Sequence, residues 1–216
     1  MDERGREKEM SYTTPCPERQ YPWSNCKGSH VENPSGTFTN VLFDKRSTGY
    51  VEGGAIWTSG EVKCTSCSFT SCTASSNGGA IWCQYPLTLS SCTFSGCTAT
   101  YGGAIYLNGG TLTLSSCTFT KCTSSSSGGA LYIHSATTFT VDSASFKECT
   151  STGAGGAIYL NYAPSSAPFY KTSFIECSSN GNGHAIAFNG KPTIKMFDQC
   201  YGEGREEGRV SYYSNN

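Results

Sequence analysis

Two sets of side chains in this 216-residue chain are spaced so that their members could act together. Glu148 and Glu176 each stand two residues after a phenylalanine (Phe146, Phe174) and one before a cysteine. If those segments lie over one another, the carboxylates come to roughly 5 Å, the separation used by a retaining glycosidase. A β-helical lyase would instead gather acidic groups around calcium, and only Asp142 and Glu148 are near enough in sequence to begin such a cluster. Lys121 holds the same place one segment earlier and Gln199 one later, so a solvated edge with Lys121 and Glu148 paired is the other reading. The second set is aromatic. Trp57, Trp82, Tyr106, Tyr132 and Tyr159 each follow the apolar residue of a Gly-Gly-Ala-Ile-type phrase. Stacked, they form an outward row of five rings about 19 Å long. That row is a platform for sugar faces, or a ladder that supports its own strands.

Other reactive types are present without a completed pattern. The chain has 13 cysteines, and Cys64-Thr65-Ser66-Cys67 has the C-x-x-C form. No second such pair or histidine pair completes a tetrahedral zinc site, and His30, His134 and His184 lie far apart, so no metal or other cofactor is expected. Neither a Ser-His-Asp order, nor a phosphate loop, nor a dinucleotide fingerprint occurs.

These residues are positioned by a repeat. Gly-Gly-Ala begins at Gly53, Gly78, Gly102, Gly128 and Gly155, with Gly-His-Ala at Gly183, in steps of 25, 24, 26, 27 and 28 residues. Phe69, Phe94, Phe119, Phe146, Phe174 and Phe197 keep a similar beat, each followed three positions later by a cysteine, from Cys72 to Cys200. A fixed period of this size marks a stacked array. Within a repeat, apolar residues alternate in short bursts such as Leu112, Leu114, Cys117 and Phe119, separated by Gly and Ser turns. That is strand periodicity, with no helical stripe.

About three short strands per 25 residues make one turn of a parallel β-helix, right-handed as parallel crossovers almost always are. The expected fold is therefore all-β, a right-handed single-stranded parallel β-helix solenoid of about six coils. Residues 36–200 form it, 1–35 are a flexible or capping leader, and 201–216 are a charged tail. Stacking would create an inward column of Ile56, Ile81, Ile105, Leu131, Ile158 and Ile186, a phenylalanine column, and a cysteine column from Cys72 to Cys200. A shorter cysteine column, Cys67, Cys92 and Cys117, ends at Ala144 and Thr172. Parallel in-register Cβ vectors do not converge as a disulfide requires, so these read as buried thiols, with Cys16 and Cys26 the more oxidisable pair.

Composition limits the partners. Net charge is −1, and between Cys64 and Leu160 only Lys121, Asp142, Lys147 and Glu148 are charged. A neutral Ser/Thr/Gly surface has no basic stripe for nucleic acid. No apolar run spans a membrane, and Met1–Gln20 is not built as a signal peptide, so the expectation is an intracellular chain or a piece of a longer one. Threonine rows such as Thr88 and Thr113, or Thr93 and Thr118, suggest ice binding, which needs a strictly regular face. Coil lengths that drift from 24 to 28 residues count against that.

From Gly53 to Cys200 the Gly-Gly-Ala-Ile and Phe-x-x-Cys phrases resemble the polymorphic outer-membrane-protein repeats of bacterial autotransporter adhesins, marked by Gly-Gly-Ala-Ile/Leu/Val and Phe-x-x-Asn. Protist surface-type proteins with such repeats look similar. The resemblance implies a pectin-lyase-like β-helix and an extracellular or cell-surface adhesive role toward a glycan or a partner surface protein. Here cysteine replaces the family's asparagine in every repeat, and the family's C-terminal membrane barrel is not expected within these residues. The resulting expectation is a non-enzymatic binding module. A polysaccharide lyase or hydrolase using Glu148 and Glu176, or a structural spacer, are the alternatives.

Overall fold

A computed structural model describes residues 31–32, 35–47, 52–136, 138–162, 168–189, 197–198, 201–203 and 212–215. All strand pairings among them are parallel, and each strand pairs with its equivalent one coil away. Four sheets result. Sheet one has eight strands, including Ile56–Thr58, Ile81–Cys83, Ile105–Asn108, Leu131–Ser135 and Ile158–Leu160. Sheet two has seven, among them Val62–Thr65, Leu87–Ser90 and Thr111–Ser115. Sheet three has seven, among them Ser68–Thr70, Thr93–Ser95 and Thr118–Thr120, and a narrow sheet four has four two-residue strands from Thr98–Ala99 to Ser178–Ser179. The chain is thus the expected all-β solenoid of about six coils.

The inward columns follow the repeat. Ile56, Ile81, Ile105, Leu131, Ile158 and Ile186 are register partners in succession, and all are fully buried. Stacking starts earlier than the sequence phrase does. Val31–Glu32, in the segment assigned to the leader, pairs with Ile56–Trp57, and Tyr212–Asn215, in the segment assigned to the tail, pairs with Ile186–Asn189.

The phenylalanine column needs a correction at both ends. Phe43 pairs with Phe69 and heads it, whereas Phe197 pairs with Phe169 in sheet two, and Gly202 lies beside Phe174. The six rings from Phe43 to Phe174 stack face to face, 4.6–5.1 Å apart and 1–6° from parallel. A spacing close to the inter-strand distance lets each ring satisfy its strand register and its dispersion contacts at once.

Two corners per coil share one design. A residue with positive φ turns the chain, and the next side chain points inward. Ser66, Ser91 and Ser116 turn one corner (φ 53° each), ahead of Cys67, Cys92 and Cys117. Ser71, Gly96, Lys121, Glu148 and Glu176 turn the other, ahead of Cys72, Cys97, Cys122, Cys149 and Cys177. The ten cysteines among the described residues are free thiols, nine of them buried; Cys16, Cys26 and Cys200 lie outside those residues. Each corner sulfur lies against the carbonyl two residues back and against a carbonyl of the preceding coil, as Cys117 does with Ser115 and Leu89 at 3.4 and 3.5 Å. Thr172 fills the same place and donates its hydroxyl to Tyr170 at 2.9 Å. The corner thus selects a small, inward side chain that can also donate weakly to a bent backbone. Arg46 heads the second thiol column, three residues after Phe43, and is 2% exposed. Burial lowers its pKa, opposed by the charges of Cys72 and Asp44.

The variation in coil length is confined. Phe43, Phe69, Phe94, Phe119, Phe146 and Phe174 always follow their inward partner in sheet two by five residues, from Phe38 to Phe169. The link from sheet one to sheet two absorbs most of the drift, lengthening from Ile81–Leu87 to Ile105–Leu112 and Leu131–Phe139, with a register shift at Leu107/Asn108. The spacing between sheets two and three is therefore constant, while their outward positions mix Thr and Ser with Lys63, Asp142, Lys147 and Tyr170.

The Gly-Gly-Ala turn between sheets four and one has two separate requirements. Gly78 has φ 63°, and a Cβ there would run into its own strand at the Ile81 carbonyl. Gly79 has ordinary φ, but a Cβ would strike the Gly103 and Thr98 carbonyls of the next coil. One glycine turns the chain and the other lets neighbouring coils touch.

Candidate functional site

The five aromatic residues are brought together as one column. Trp57, Trp82, Tyr106, Tyr132 and Tyr159 are register partners in that order, and Ala187 follows. They do not present an exposed row of ring faces. Trp57 lies parallel to Trp82, with centroids 5.2 Å apart, and Tyr106 stacks on Tyr132 at 5.0 Å, with Tyr159 tilted beyond it. In-register parallel strands force the faces onto one another, so mostly ring edges meet solvent. Trp82 is 7% and Tyr132 8% exposed. Tyr101 adds an edge-on contact to Tyr132 at 5.1 Å. The column is two stacks, Trp57–Trp82 and Tyr106–Tyr132–Tyr159, with a junction between Trp82 and Tyr106.

Polar groups flank the rings on both sides. On one side, the residues just before each Gly-Gly form their own column, with Glu52 bridged to Asn77 and Asn77 to Tyr101. Glu52 accepts from Trp57 Nε1 at 3.2 Å and from Asn77 Nδ2 at 2.7 Å. Burial, with the charges of Glu52 and Tyr101, raises the pKa of the Tyr106 phenol. Burial also raises that of Tyr132, helped by the phenols around it. On the other side, Asn161 Nδ2 donates to His134 Nδ1 at 3.1 Å, and Asn189 Nδ2 to Asn161 Oδ1 at 3.2 Å. One buried donor is left over. Trp82 Nε1 has no hydrogen-bond partner. Asn77 stands five residues before Trp82 as Glu52 does before Trp57, but its amide oxygen makes no hydrogen bond with Trp82 Nε1, while its Nδ2 donates to Glu52.

The sequence reading named the rings and missed this flank. The signal was present, since Glu52, Asn77 and Tyr101 each precede a Gly-Gly pair.

Glu148 and Glu176 do share a column, at the outer corner and with positive φ. Glu148 is held by Lys121 of the preceding coil at 3.5 Å and by its neighbour Lys147 at 3.6 Å, all three at the surface. That is the paired edge, with one carboxylate already neutralised; Gln199 lies outside the described residues. No cluster of three or more His, Cys, Asp or Glu able to hold a metal occurs among the described residues. Cys67, of the C-x-x-C phrase, turns its sulfur to the Phe38 and Thr65 carbonyls at 3.5 Å each. Burial pushes the Cys83 thiol up to about 11. No helix among the described residues is long and apolar enough to cross a membrane.

With this geometry the class of protein is a parallel β-solenoid that carries an aromatic and amide face on sheet one. The chain matches the family described as right-handed β-helix region over residues 27–201, and it belongs to that family. Its handedness is the one that parallel crossovers favour. No curated protein and no solved structure matches the chain.

Proposed function

We propose that the chain is a non-enzymatic binding module that offers its sheet-one face to a glycan, in an adhesive role like that of the autotransporter repeats it resembles. The observation behind this reading is the composition of that face. Ring edges of Trp57, Tyr106 and Tyr159 lie between a carboxylate–amide flank (Glu52, Asn77) and an amide–imidazole flank (Asn161, His134). Aromatic edges beside fixed donors and acceptors suit a partner rich in both C–H surface and hydroxyls. The catalytic alternative has less support, because Glu148 is paired with lysines on an open corner.

Affinity electrophoresis through gels carrying different polysaccharides tests the reading. Retardation in at least one gel, relieved in a folded Tyr106→Ser variant, is the expected result. Unchanged migration in every gel would turn the search toward a protein partner or a spacer role.

A second reading draws on sheet three, where hydroxyls of successive coils form ranks, with Ser68 and Thr93 2.6 Å apart and Ser173, itself buried, donating to Ser145 at 2.9 Å. Such ranks suit an ordered lattice, ice included, and a thermal-hysteresis measurement would reveal that activity.

A further inference from the structure

The column rings lie face against face, but the edge where sheet one leads into sheet two carries two rings that do not. Tyr85 and Tyr162 each stand three residues after a column ring, Trp82 and Tyr159, and two after Cys83 and Leu160, which share one column of register partners. They are 49% and 62% exposed, more than any other large apolar side chain among the described residues. Within those residues Tyr162 meets one ring, His134, at 5.7 Å and 84°, and Tyr85 meets none, so each keeps a face that no other ring covers. Three coils separate them, about 14 Å at about 4.8 Å per coil. In the coil after Tyr85 the turn is Gly109-Gly110, and a Cβ on Gly110 would come within 2.6 Å of the Tyr85 carbonyl carbon, so that turn raises no side chain beside the ring.

Polar groups on the same edge have hydrogen bonds to spare. Asn189 donates to Asn161 and Asn161 to His134 Nδ1, so the neutral imidazole carries its proton on Nε2, for which no acceptor occurs among the described residues. The register shift at Leu107/Asn108 pairs Asn108 with Ser135 and takes it out of this ladder. Its side-chain amide, like that of Gln84, has no partner among the described residues. Solvent reaches this edge, with Gln84 exposed and Asn108 and His134 only half-buried.

We propose that this edge, from Tyr85 to Tyr162, is the track on which the chain holds an uncharged oligosaccharide lying along the solenoid axis. Sugar faces rest on the two open rings, and hydroxyls between them accept from His134 Nε2–H and exchange hydrogen bonds with the Gln84 and Asn108 amides. The inference rests on the glycan-binding reading and assigns its location and chemistry. Residues 84–86, 108–110, 134–136 and 161–162 include no Asp, Glu, Lys or Arg, so a charged chain finds no counter-ion there. An uncharged polyol supplies C–H faces for the rings and both donors and acceptors for amides and imidazole. An extended peptide also carries donors and acceptors, yet it would bind most simply by adding a strand. The strands bordering this edge at Cys83, Leu107 and Ile133 are already paired on both sides.

Isothermal titration calorimetry of the whole chain tests this, with neutral gluco-, xylo-, manno- and N-acetylglucosamine oligosaccharides of increasing length and oligogalacturonate as the anionic comparison. One neutral series should bind, its affinity rising with length until a single chain reaches both rings and then levelling off. Tyr85→Ala and Tyr162→Ala should each weaken the longer members about tenfold and flatten that rise, as loss of an aromatic anchor does. His134→Phe keeps a ring and removes the N–H; it should also weaken binding about tenfold, the effect of one hydrogen bond. Thr113→Ala, on sheet two, should change nothing. All four positions lie at the surface or half-buried, and circular dichroism and melting establish that each variant is folded. Neutral-sugar binding that is indifferent to length, or to Tyr85→Ala, Tyr162→Ala and His134→Phe together, overturns the track and leaves the glycan reading standing. Equal binding of oligogalacturonate overturns the uncharged class. Absence of binding in every series together with absence of retardation in every polysaccharide gel overturns the glycan reading, and the track with it.

Discussion

Trp57 and Trp82 are stacked within 7° of parallel on adjacent coils, yet only the Trp57 indole finds an acceptor, the carboxylate of Glu52. The repeat copies the ring from one coil to the next but changes the residue five positions earlier from Glu to Asn. The two rungs are therefore alike in packing and different in polarity.

The phenylalanine column should carry much of the stability. Phe119 is fully buried between Phe94 and Phe146, at 4.7 Å from each. Phe119→Ala should cost about 3–5 kcal/mol, since two stacked faces lose their partner and a cavity opens. Urea denaturation followed by circular dichroism gives the value.

The glycines should divide by mechanism. Gly79→Ala sets a Cβ against carbonyls of the next coil and should cost more than about 3 kcal/mol or prevent folding. Gly96 also has positive φ, but a Cβ there meets only Ser71 Oγ at 3.7 Å, and serine or lysine occupies the same corner in other coils. Gly96→Asn should therefore stay within about 1 kcal/mol of the parent. Equal melting temperatures for the two variants would contradict the close-contact account.

The corner thiols should behave as packed, protonated groups. Cys117→Thr should be milder than Cys117→Ala, which should cost about 1–2 kcal/mol, because Thr172 shows that a hydroxyl can hold this corner. Alkylation monitored by mass spectrometry should find Cys92, Cys97, Cys117, Cys122 and Cys149 protected in the native chain and reactive in denaturant.

Alkali should loosen the aromatic face. The pKa values of Tyr106 and Tyr132 are raised in the folded chain, so between the unfolded value, about 10, and the folded values the unfolded state holds fewer protons. Stability contributed by these phenols is complete below pH about 10 and declines as pH rises through the folded values. Melting temperatures across pH 8–12 should fall less steeply in Tyr106→Phe than in the parent.

The outer-corner carboxylates should be dispensable. Glu148→Gln with Glu176→Gln should change stability by less than about 0.5 kcal/mol, as for other surface pairs. If purified chain shortens a polysaccharide and the double variant does not, the non-enzymatic reading falls.

How much was legible followed from which interactions repeat. The isoleucine column, the phenylalanine column from Phe69 to Phe174 and both thiol columns could be read from spacing. Stacking equivalent coils places like residues over like, so one pattern in one dimension predicts contacts in three. Phe197 misled because its tripeptide spacing to Cys200 copies the repeat, whereas register follows the sheet-two link and sets it beside Phe169. Phe43 was overlooked because Arg46 stands where a cysteine was sought, and whether a chain can bury arginine at a column's head depends on what surrounds it.

The sequence by itself therefore determined the coil, its inward ladders and the two glycines that turn and tighten it, because each rests on local backbone geometry repeated at a near-constant period. Only the tertiary structure decided which groups meet across coils. It turned the five rings edge-outward instead of face-outward, since parallel register stacks their faces. It joined Glu52 to both Trp57 and Asn77, and left Trp82 Nε1 without an acceptor. Those outcomes depend on side-chain directions between successive coils, which the repeat places side by side but does not orient.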